Sequence, residues 1–542
     1  MFLSGDGYRE SLRELTPRVF VDGERIDSVA DAGVLAPGVN AVALTYDFAL
    51  EPAYEPLMRA TSHTSGRTVN RMLHLDRTPQ DLINKLEAVR LLCREGGCVQ
   101  RYLIHDSFAA LYQVTHQMAA EDGTEHFDRF VEYMHKVQTD DLAIGIAMTD
   151  GKGDRSLRPH QQWNQDSYVR ITERRPDGIV IRGVKAIVTG APYMHEFLVM
   201  PCRNMTEDDA DFAVCCAVPA DAEGVTISAR PAGRPGQKAA KFSGRYGQST
   251  GVVMFDDVFV PMDRVFLDGG EKDQWRHSHM LTRIYATHHR HSCIGARAGF
   301  GDLLIGAGVL MSEANGLDVE KTPHLRDRMV ELIKTVEGFY ACGVAASVYG
   351  FEDPSGIMQP DGVFANVGKL LLATQIYDMH HLAHEVSGGL IVTLPGPDED
   401  HNPETAGDLA SMLQTREDVP HEKRMAVARL MEDLTASDEA GWYSVISLHG
   451  GGSPEAMKRE IYRYYPVADR VEVVRKLLDR GVLAEDGKDV SRDRQPGRCC
   501  PVGCQVPETP KLGYDPDAGA LPAKSAGSAS SDSSDSSKSA AE

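Results

Sequence analysis

The residues with the most chemistry to offer form two short runs. Cys98-Val-Gln-Arg-Tyr102 brings together a thiol, a guanidinium and a phenol, and His289-Arg-His-Ser-Cys-Ile-Gly-Ala296 brings together two imidazoles and a thiol. Imidazole titrates near neutral pH, so His289 is the candidate general acid or base. Arg101, Tyr102 and Cys293 are the candidate catalytic groups beside it. Each has a plainer role open to it. His289 can simply hydrogen-bond a cofactor or a backbone carbonyl. Tyr102 can bond a substrate oxygen or just fill space, and Cys98 can be a small buried hydrophobe. The run His288, His289, His291 has the residue types of a metal site, but neighbouring residues on a helix point to different sides, and no metal site is expected.

A third group lies in Met148-Thr-Asp-Gly-Lys-Gly-Asp-Arg-Ser156, and a fourth in Gly183-Val-Lys-Ala-Ile-Val-Thr-Gly190. Thr149 and Thr189 offer hydroxyls and backbone N–H groups. Arg155 and Lys185 offer charge that suits a pyrophosphate. The plain alternative for Asp154 and Arg155 is a surface ion pair. Gly388 and Gly389 permit close backbone approach or simply end a helix. The chain has no G-x-G-x-x-G after a strand and no phosphate-loop motif, so a Rossmann or P-loop protein is not expected. Cys499, Cys500 and Cys504 read either as a metal or redox site or as ordinary reduced thiols.

The elements that must position these groups change character along the chain. Residues 81–95 have apolar positions at helical spacing before Gly96-Gly97, and a second helix is expected from 104 to 118. From about 145 to 265 short β-like runs alternate with Gly, Pro and Asp clusters, the pattern of an antiparallel β domain. They are 178–182, 185–189, 196–200, 212–218 and 251–255. Beyond Trp275 helices are expected at about 277–314, 323–350, 361–387, 420–440 and 454–482, which reads as a bundle. The expected domains are a helical one at 1–144, a β domain at 145–275 and a bundle at 276–485. A Cys-containing linker and tail at 486–542, rich in Ser, Ala, Gly and Asp, are expected to be disordered.

The 542 residues carry a net charge of -22 with 42% hydrophobic and 25% charged residues. That balance is globular, and it argues against nucleic acid and anionic membrane as partners, which need a basic footprint. No apolar run is expected to approach the ~18 to 20 residues of a membrane span. The N-terminus has no signal-peptide pattern, and the ten scattered cysteines fit a reducing cytoplasm.

From about Met1 to Leu483 the chain resembles the 4-hydroxybutyryl-CoA dehydratases. The resemblance is carried by the two opening runs, the loop 148–156, the strand 183–190, Ser387-Gly-Gly-Leu-Ile-Val-Thr-Leu-Pro395 and Leu448-His-Gly-Gly-Gly-Ser453. It also reaches the related 4-hydroxyphenylacetate 3-monooxygenases. It implies an α+β, acyl-CoA dehydrogenase-like fold with FAD between the β domain and the bundle. The implied FAD contacts are Thr149, Asp154, Arg155, Ser156, Lys185, Thr189, Gly388, Gly389, His449 and Gly450. It implies a homotetramer, a dimer of dimers in which a neighbour's bundle completes each FAD site. In the dehydratases a Cys-x3-Cys pair and a His-x6-Cys pair hold a [4Fe-4S] cluster. Here Tyr102 and Ala296 stand at two of those positions, so no cluster is expected. The dehydratases' acid/base positions fall on Thr250, Cys293 and Ile446. The monooxygenases' substrate-contacting Arg and His fall near Leu103, with Arg101 close by, and Asp150.

Two enzymatic readings follow, and a third without catalysis. The first is a two-component monooxygenase, in which reduced FAD from a partner flavin reductase acts with oxygen on a small organic substrate. The second is a cluster-free dehydratase, isomerase or desaturase acting on an acyl-CoA or carrier-bound thioester. The third is a flavoprotein or assembly subunit that catalyses nothing.

Overall fold

The computed structural model describes residues 2–479. The N-terminal segment runs α1 (Gly5–Arg13), β1 (Val19–Val21), β2 (Glu24–Ile26), α2 (Ala36–Leu50), α3 (Glu55–Met58), β3 (Arg59–Thr61), β4 (Thr68–Asn70), α4 (Pro79–Gly96), α5 (Leu103–Asp122) and α6 (His126–Asp140). The helix expected at 81–95 is α4. It starts two residues earlier because Thr78 and Asp81 form a reciprocal capping box with Pro79 at the first turn, and Gly97 ends it at φ 70°. The helix expected at 104–118 is α5, which runs one turn further to Gly123.

The middle segment holds β5 (Ile144–Ala147), β6 (Arg170–Arg175), β7 (Gly178–Thr189), β8 (Glu196–Val199), β9 (Val214–Pro219), β10 (Val225–Ala229), β11 (Thr250–Pro261) and β12 (Val265–Asp268). They form a six-stranded sheet, β2-β1-β10-β11-β7-β6, and a four-stranded sheet, β12-β9-β8-β5. Most pairs are antiparallel as expected, but β1 with β10 and β5 with β8 are parallel. The N-terminal segment is therefore not purely helical, since β1 and β2 extend the larger sheet. The runs expected at 178–182 and 185–189 are one strand, β7, bent around Gly183 at φ 131°. One core lies between the inner faces of the two sheets with α1 and α2, and a second packs α5 and α6 on the other face of the smaller sheet.

Helices complete the chain: α7 (His277–Ala314), α8 (Pro323–Val348), α9 (Gly362–Ser387), α10 (Ala406–Leu413), α11 (His421–Thr435), α12 (Asp438–His449), α13 (Pro454–Tyr464) and α14 (Val467–Asp479). The helix expected at 420–440 is two, because Ser437 caps a new start at α12. The one expected at 454–482 is also two, interrupted at Pro466, which cannot continue a helix. Its last residues, and the linker and tail expected at 486–542 with Cys499, Cys500 and Cys504, lie outside the described residues. Residues 2–466 belong to one compact unit and α14 to another.

The long α7 positions the site. The stretch Gln274–Ala314 is long and apolar enough to cross a membrane, but 67% of its apolar window is buried inside the molecule, as befits a core helix. It meets α4 closely because Gly295 and Gly299 carry no side chain. A Cβ at either would sit 2.5 or 2.4 Å from the Leu86 or Arg90 carbonyl oxygen. That close approach brings the end of α4, with Cys98 and Tyr102 just beyond it, against α7.

Candidate functional site

Residues four apart on a helix share a face, and α7 presents Tyr285, His289, Cys293 and Arg297 in that register. The face is buried: His289 is 7% exposed and Cys293 3%. The Cys293 Sγ lies 3.5 Å from His289 Nε2, and His289 Nδ1 lies 3.1 Å from Asp106 Oδ2 on α5. Asp106 is held in turn by the Ser292 hydroxyl at 2.6 Å, and Lys85 lies 3.7 Å from its other oxygen. The His289 ring is flanked by two near-parallel rings, Tyr285 at 5.5 Å and Tyr102 at 6.2 Å between centroids. Gly451, at φ 76°, lies against its edge, where a Cβ would come within 3.2 Å of His289 Cδ2.

The electrostatics follow from burial and these neighbours. Burial pushes the Cys293 thiol up, but the His289 charge and hydrogen bond, with Lys369 and Arg297 behind, bring it down to about 6. Burial pushes His289 down, but Cys293 and the Asp106 hydrogen bond raise it to about 9. The two shifts run in opposite directions and favour a thiolate–imidazolium pair, stabilised by mutual attraction in a medium that screens little. Burial lowers Lys369 to about 8, against the pull of Cys293. Its Nζ donates to the Ser447 carbonyl at 2.6 Å, and Arg297 donates to the Ser447 hydroxyl at 2.6 Å while stacking on Tyr443. Burial raises the Cys98 thiol, which faces Arg297 Nη1 at 3.9 Å. Tyr102 and Ala296 pack with Leu92, Cys93 and Val99 in one apolar cluster.

The structure thus brings together His289, Cys293 and Tyr102, and adds Asp106, Lys369, Arg297 and Gly451, which the sequence reading left out. Arg101 is not with them. It is fully buried over the Tyr46 ring and paired with Asp141 at 2.6 Å, a contact that ties α2 to the end of α6. The three imidazoles of α7 diverge as helix geometry requires: His288 meets Gln113, His289 meets Asp106, and His291 meets Ser347.

The second expected group also divides. Lys185 is buried and engaged by Asp150 at 2.6 Å and by the Met148 and Met200 carbonyls. It neutralises Asp150, and so is not free to meet a pyrophosphate. Thr149 and Thr189 are half-buried, and the Thr149 carbonyl accepts from the Ala186 N–H of β7 at 2.7 Å. Between them Ile187 adopts φ 56° with 61% of its surface exposed, a conformation a β-branched residue avoids. Asp154 caps Ser156 through its N–H and its hydroxyl instead of pairing with Arg155, and all three are exposed. Gly388, exposed with Gly389, ends α9; His449 ends α12, and Gly450 follows as its cap.

A small cavity of about 30 Å³ lies behind Cys98, lined by Gln248, Asp433, Glu439 and Tyr443 among others. The Gln248 side-chain oxygen is buried there without a hydrogen-bond partner. Burial raises the Glu439 carboxyl to about 7, against the pull of Arg230.

A helical segment, two sheets and a bundle enclosing a Cys–His–Asp cluster define an α+β enzyme-like architecture. The chain belongs to the 4-hydroxyphenylacetate 3-hydroxylase family: residues 4–267 match the family's N-terminal model and 278–479 its C-terminal model. Over 492 residues, 88% of this chain and 99% of the other protein, it is 35% identical to the 4-hydroxybutyryl-CoA dehydratase/vinylacetyl-CoA-Delta-isomerase of Clostridium aminobutyricum. It is 23% identical over 490 residues to the oxygenase component of 4-hydroxyphenylacetate 3-monooxygenase from Thermus thermophilus, covering 88% of this chain and 98% of that one. Among solved structures it matches the 4-hydroxybutyryl-CoA dehydratase of N. maritimus at 33% identity, covering 91% of this chain and 97% of that one, with a TM-score of 0.83. A 4-hydroxyphenylacetate 3-monooxygenase oxygenase component complexed with FAD shares the fold at 21% identity and a TM-score of 0.77, covering 89% and 99% of the two chains. Its relatives are enzymes, both monooxygenases and a dehydratase.

Proposed function

We propose that this protein is a flavin-dependent monooxygenase that takes reduced FAD from a separate flavin reductase and oxidises a small organic substrate with molecular oxygen. The observation that carries this reading is the packing of Tyr102 and Ala296 into one apolar cluster, at two positions where the dehydratases it resembles carry cluster-ligating cysteines. Cys98 faces Arg297 and His289 faces Asp106 and Cys293. Two such residues do not fit a [4Fe-4S] cluster, which needs about four ligands.

The residues do fit a flavin. The hydroxyls of Thr149 and Thr189 are half-buried and take no partner among the described residues, which suits the hydrogen-bonding edge of an isoalloxazine. Arg155, exposed and unpaired among the described residues, would meet the pyrophosphate in place of Lys185. Bound reduced FAD would supply the two electrons and the reaction with oxygen.

The chain's own contribution is proton handling and exclusion of water. His289, charged and oriented by Asp106, presents its Nε2 proton to an oxyanion that forms on the substrate. Arg297 and Lys369 favour negative charge in the same space. Tyr285, Tyr102 and Gly451 close around the imidazole.

A redox-neutral dehydratase or isomerase acting on an acyl thioester is the second reading, favoured by the 35% identity to such an enzyme. Against it, two of the three implied acid/base positions are Thr250, whose hydroxyl is a poor base, and Ile446, which carries no proton; the third is Cys293. The test supplies FAD, a flavin reductase and oxygen to the full chain with a panel of phenols and acyl-CoA esters. Oxygen-dependent product supports the first reading, and turnover that survives strict anaerobiosis supports the second.

A further inference from the structure

The geometry points to a covalent role: Cys293, paired with His289 and backed by Asp106, is a nucleophile that bonds to the β carbon of an α,β-unsaturated carbonyl compound. Three features carry this. The Cys293 Sγ, the imidazole and the Asp106 carboxylate are in line at 3.5 and 3.1 Å, the order in which a base is oriented behind a nucleophile. Cations also surround the sulfur: Arg297 and His289 share its helix, and Lys369 on α9 acts on it. Arg290, also on α7, is a further cation acting on the sulfur, and the other groups near it are neutral hydroxyls and thiols, Tyr102 and Cys98 from the α4–α5 junction, Cys93 on α4, Tyr285 on α7 and Tyr443 on α12.

The chemistry balances without a further reagent. The thiolate forms a C–S bond to the β carbon, and the carbon–carbon π bond breaks. Its electron pair moves onto the α carbon and carbonyl oxygen as an enolate, whose oxygen Arg297 and Lys369 stabilise. The α carbon then takes the Nε2 proton of His289. The reverse returns the proton to His289 and expels the thiolate. The inference rests on α5, α7 and α9 and needs neither flavin nor oxygen, so it can fail while the flavin reading stands.

The probe is acrylamide, a small conjugated carbonyl compound, added to the full chain with and without FAD across pH 5 to 10. Peptide mass spectrometry then follows each cysteine separately. Cys202 and Cys342, which burial raises, are internal references. The expected result at neutral pH is alkylation of Cys293 at least about tenfold faster than either, because its higher thiolate fraction outweighs the lower nucleophilicity of a low-pKa thiolate. The rate should fall by half near pH 6. His289→Gln should move that midpoint up towards the ordinary thiol range, while Cys293→Ser abolishes the adduct at that peptide. Because access and ionisation are separate questions, the thiolate ultraviolet absorbance is also compared between wild type and Cys293→Ser. A Cys293 midpoint above pH 8 would overturn the inference. So would a thiolate that acrylamide alkylates no faster than Cys342.

Discussion

Replacing Asp106 by Asn keeps its shape and removes its charge. Asp106 is fully buried, accepts from His289 and Ser292, and lies 3.7 Å from Lys85. In the variant the imidazolium loses one of its two anionic partners and keeps only Cys293, and Lys85 is left with Asp76 at 3.4 Å. Removing one member of a buried ion pair costs about 3–5 kcal/mol. Part is recovered because His289 can shed its proton, so about 3 kcal/mol is expected at pH 7. For the compact unit ending at Pro466, an unfolding entropy of about 2 cal/mol/K per residue totals about 1 kcal/mol/K, so the thermal midpoint should drop by about 3 °C. The pH dependence gives the sharper check. The folded value of His289, about 9, lies above its ordinary 6.5. Its contribution is therefore complete below about 6.5 and lost as pH rises through about 9. Scanning thermal unfolding of both proteins from pH 6 to pH 10 should show the deficit narrowing at the alkaline end. A deficit below about 1 kcal/mol at pH 7, or one unchanged at pH 10, would refute the charged pairing.

Three further outcomes are expected. Gly451→Ala places a methyl 3.2 Å from His289 Cδ2 at φ 76°; backbone strain of about 1–2 kcal/mol and displacement of the ring should cut turnover more than substrate binding, read as kcat against KM. Glu439 titrates at about 7 in the fold, above its ordinary 4.5, so the protein should lose stability as pH rises from about 4.5 to about 7. Glu439→Gln should abolish that slope, gaining up to about 3 kcal/mol over wild type at pH 8, measured by denaturant midpoints. Anaerobic reconstitution with iron and sulfide should leave wild type without cluster absorbance, whereas Tyr102→Cys combined with Ala296→Cys should acquire iron, measured by metal analysis.

Much of this architecture was legible in the sequence because its signals are local. The spacing of 285, 289, 293 and 297 shows in any helical projection of α7, and the capping box and glycine stop of α4 can be read directly. Two strands of the smaller sheet, β8 and β9, and two of the larger, β7 and β11, follow from their short apolar runs, whereas β5 and β12 were not read. Three-residue strands such as β1 and β2 carry too little pattern to be read, and only pairing with β10 reveals them. Partners distant in sequence were the main loss. Asp106 lies 183 positions from His289, and its only local trace is a carboxylate inside the apolar run of α5. Lys185 and Arg101 were expected to serve ligands, but nothing in their neighbourhoods announces that Asp150 and Asp141 engage them. Gly451 lay inside a recognised glycine run, yet which glycine faces His289 depends on how α12 ends.

The most direct test of the central reading supplies the full chain with FAD, a flavin reductase, NADH and isotopically heavy oxygen gas. Separate reactions contain phenols, with 4-hydroxyphenylacetate among them, and 4-hydroxybutyryl-CoA. The account predicts a product carrying one heavy oxygen atom, formed only when FAD, reductase and oxygen are all present. Loss of water from 4-hydroxybutyryl-CoA under strict anaerobiosis, with no heavy oxygen in any product, would contradict it.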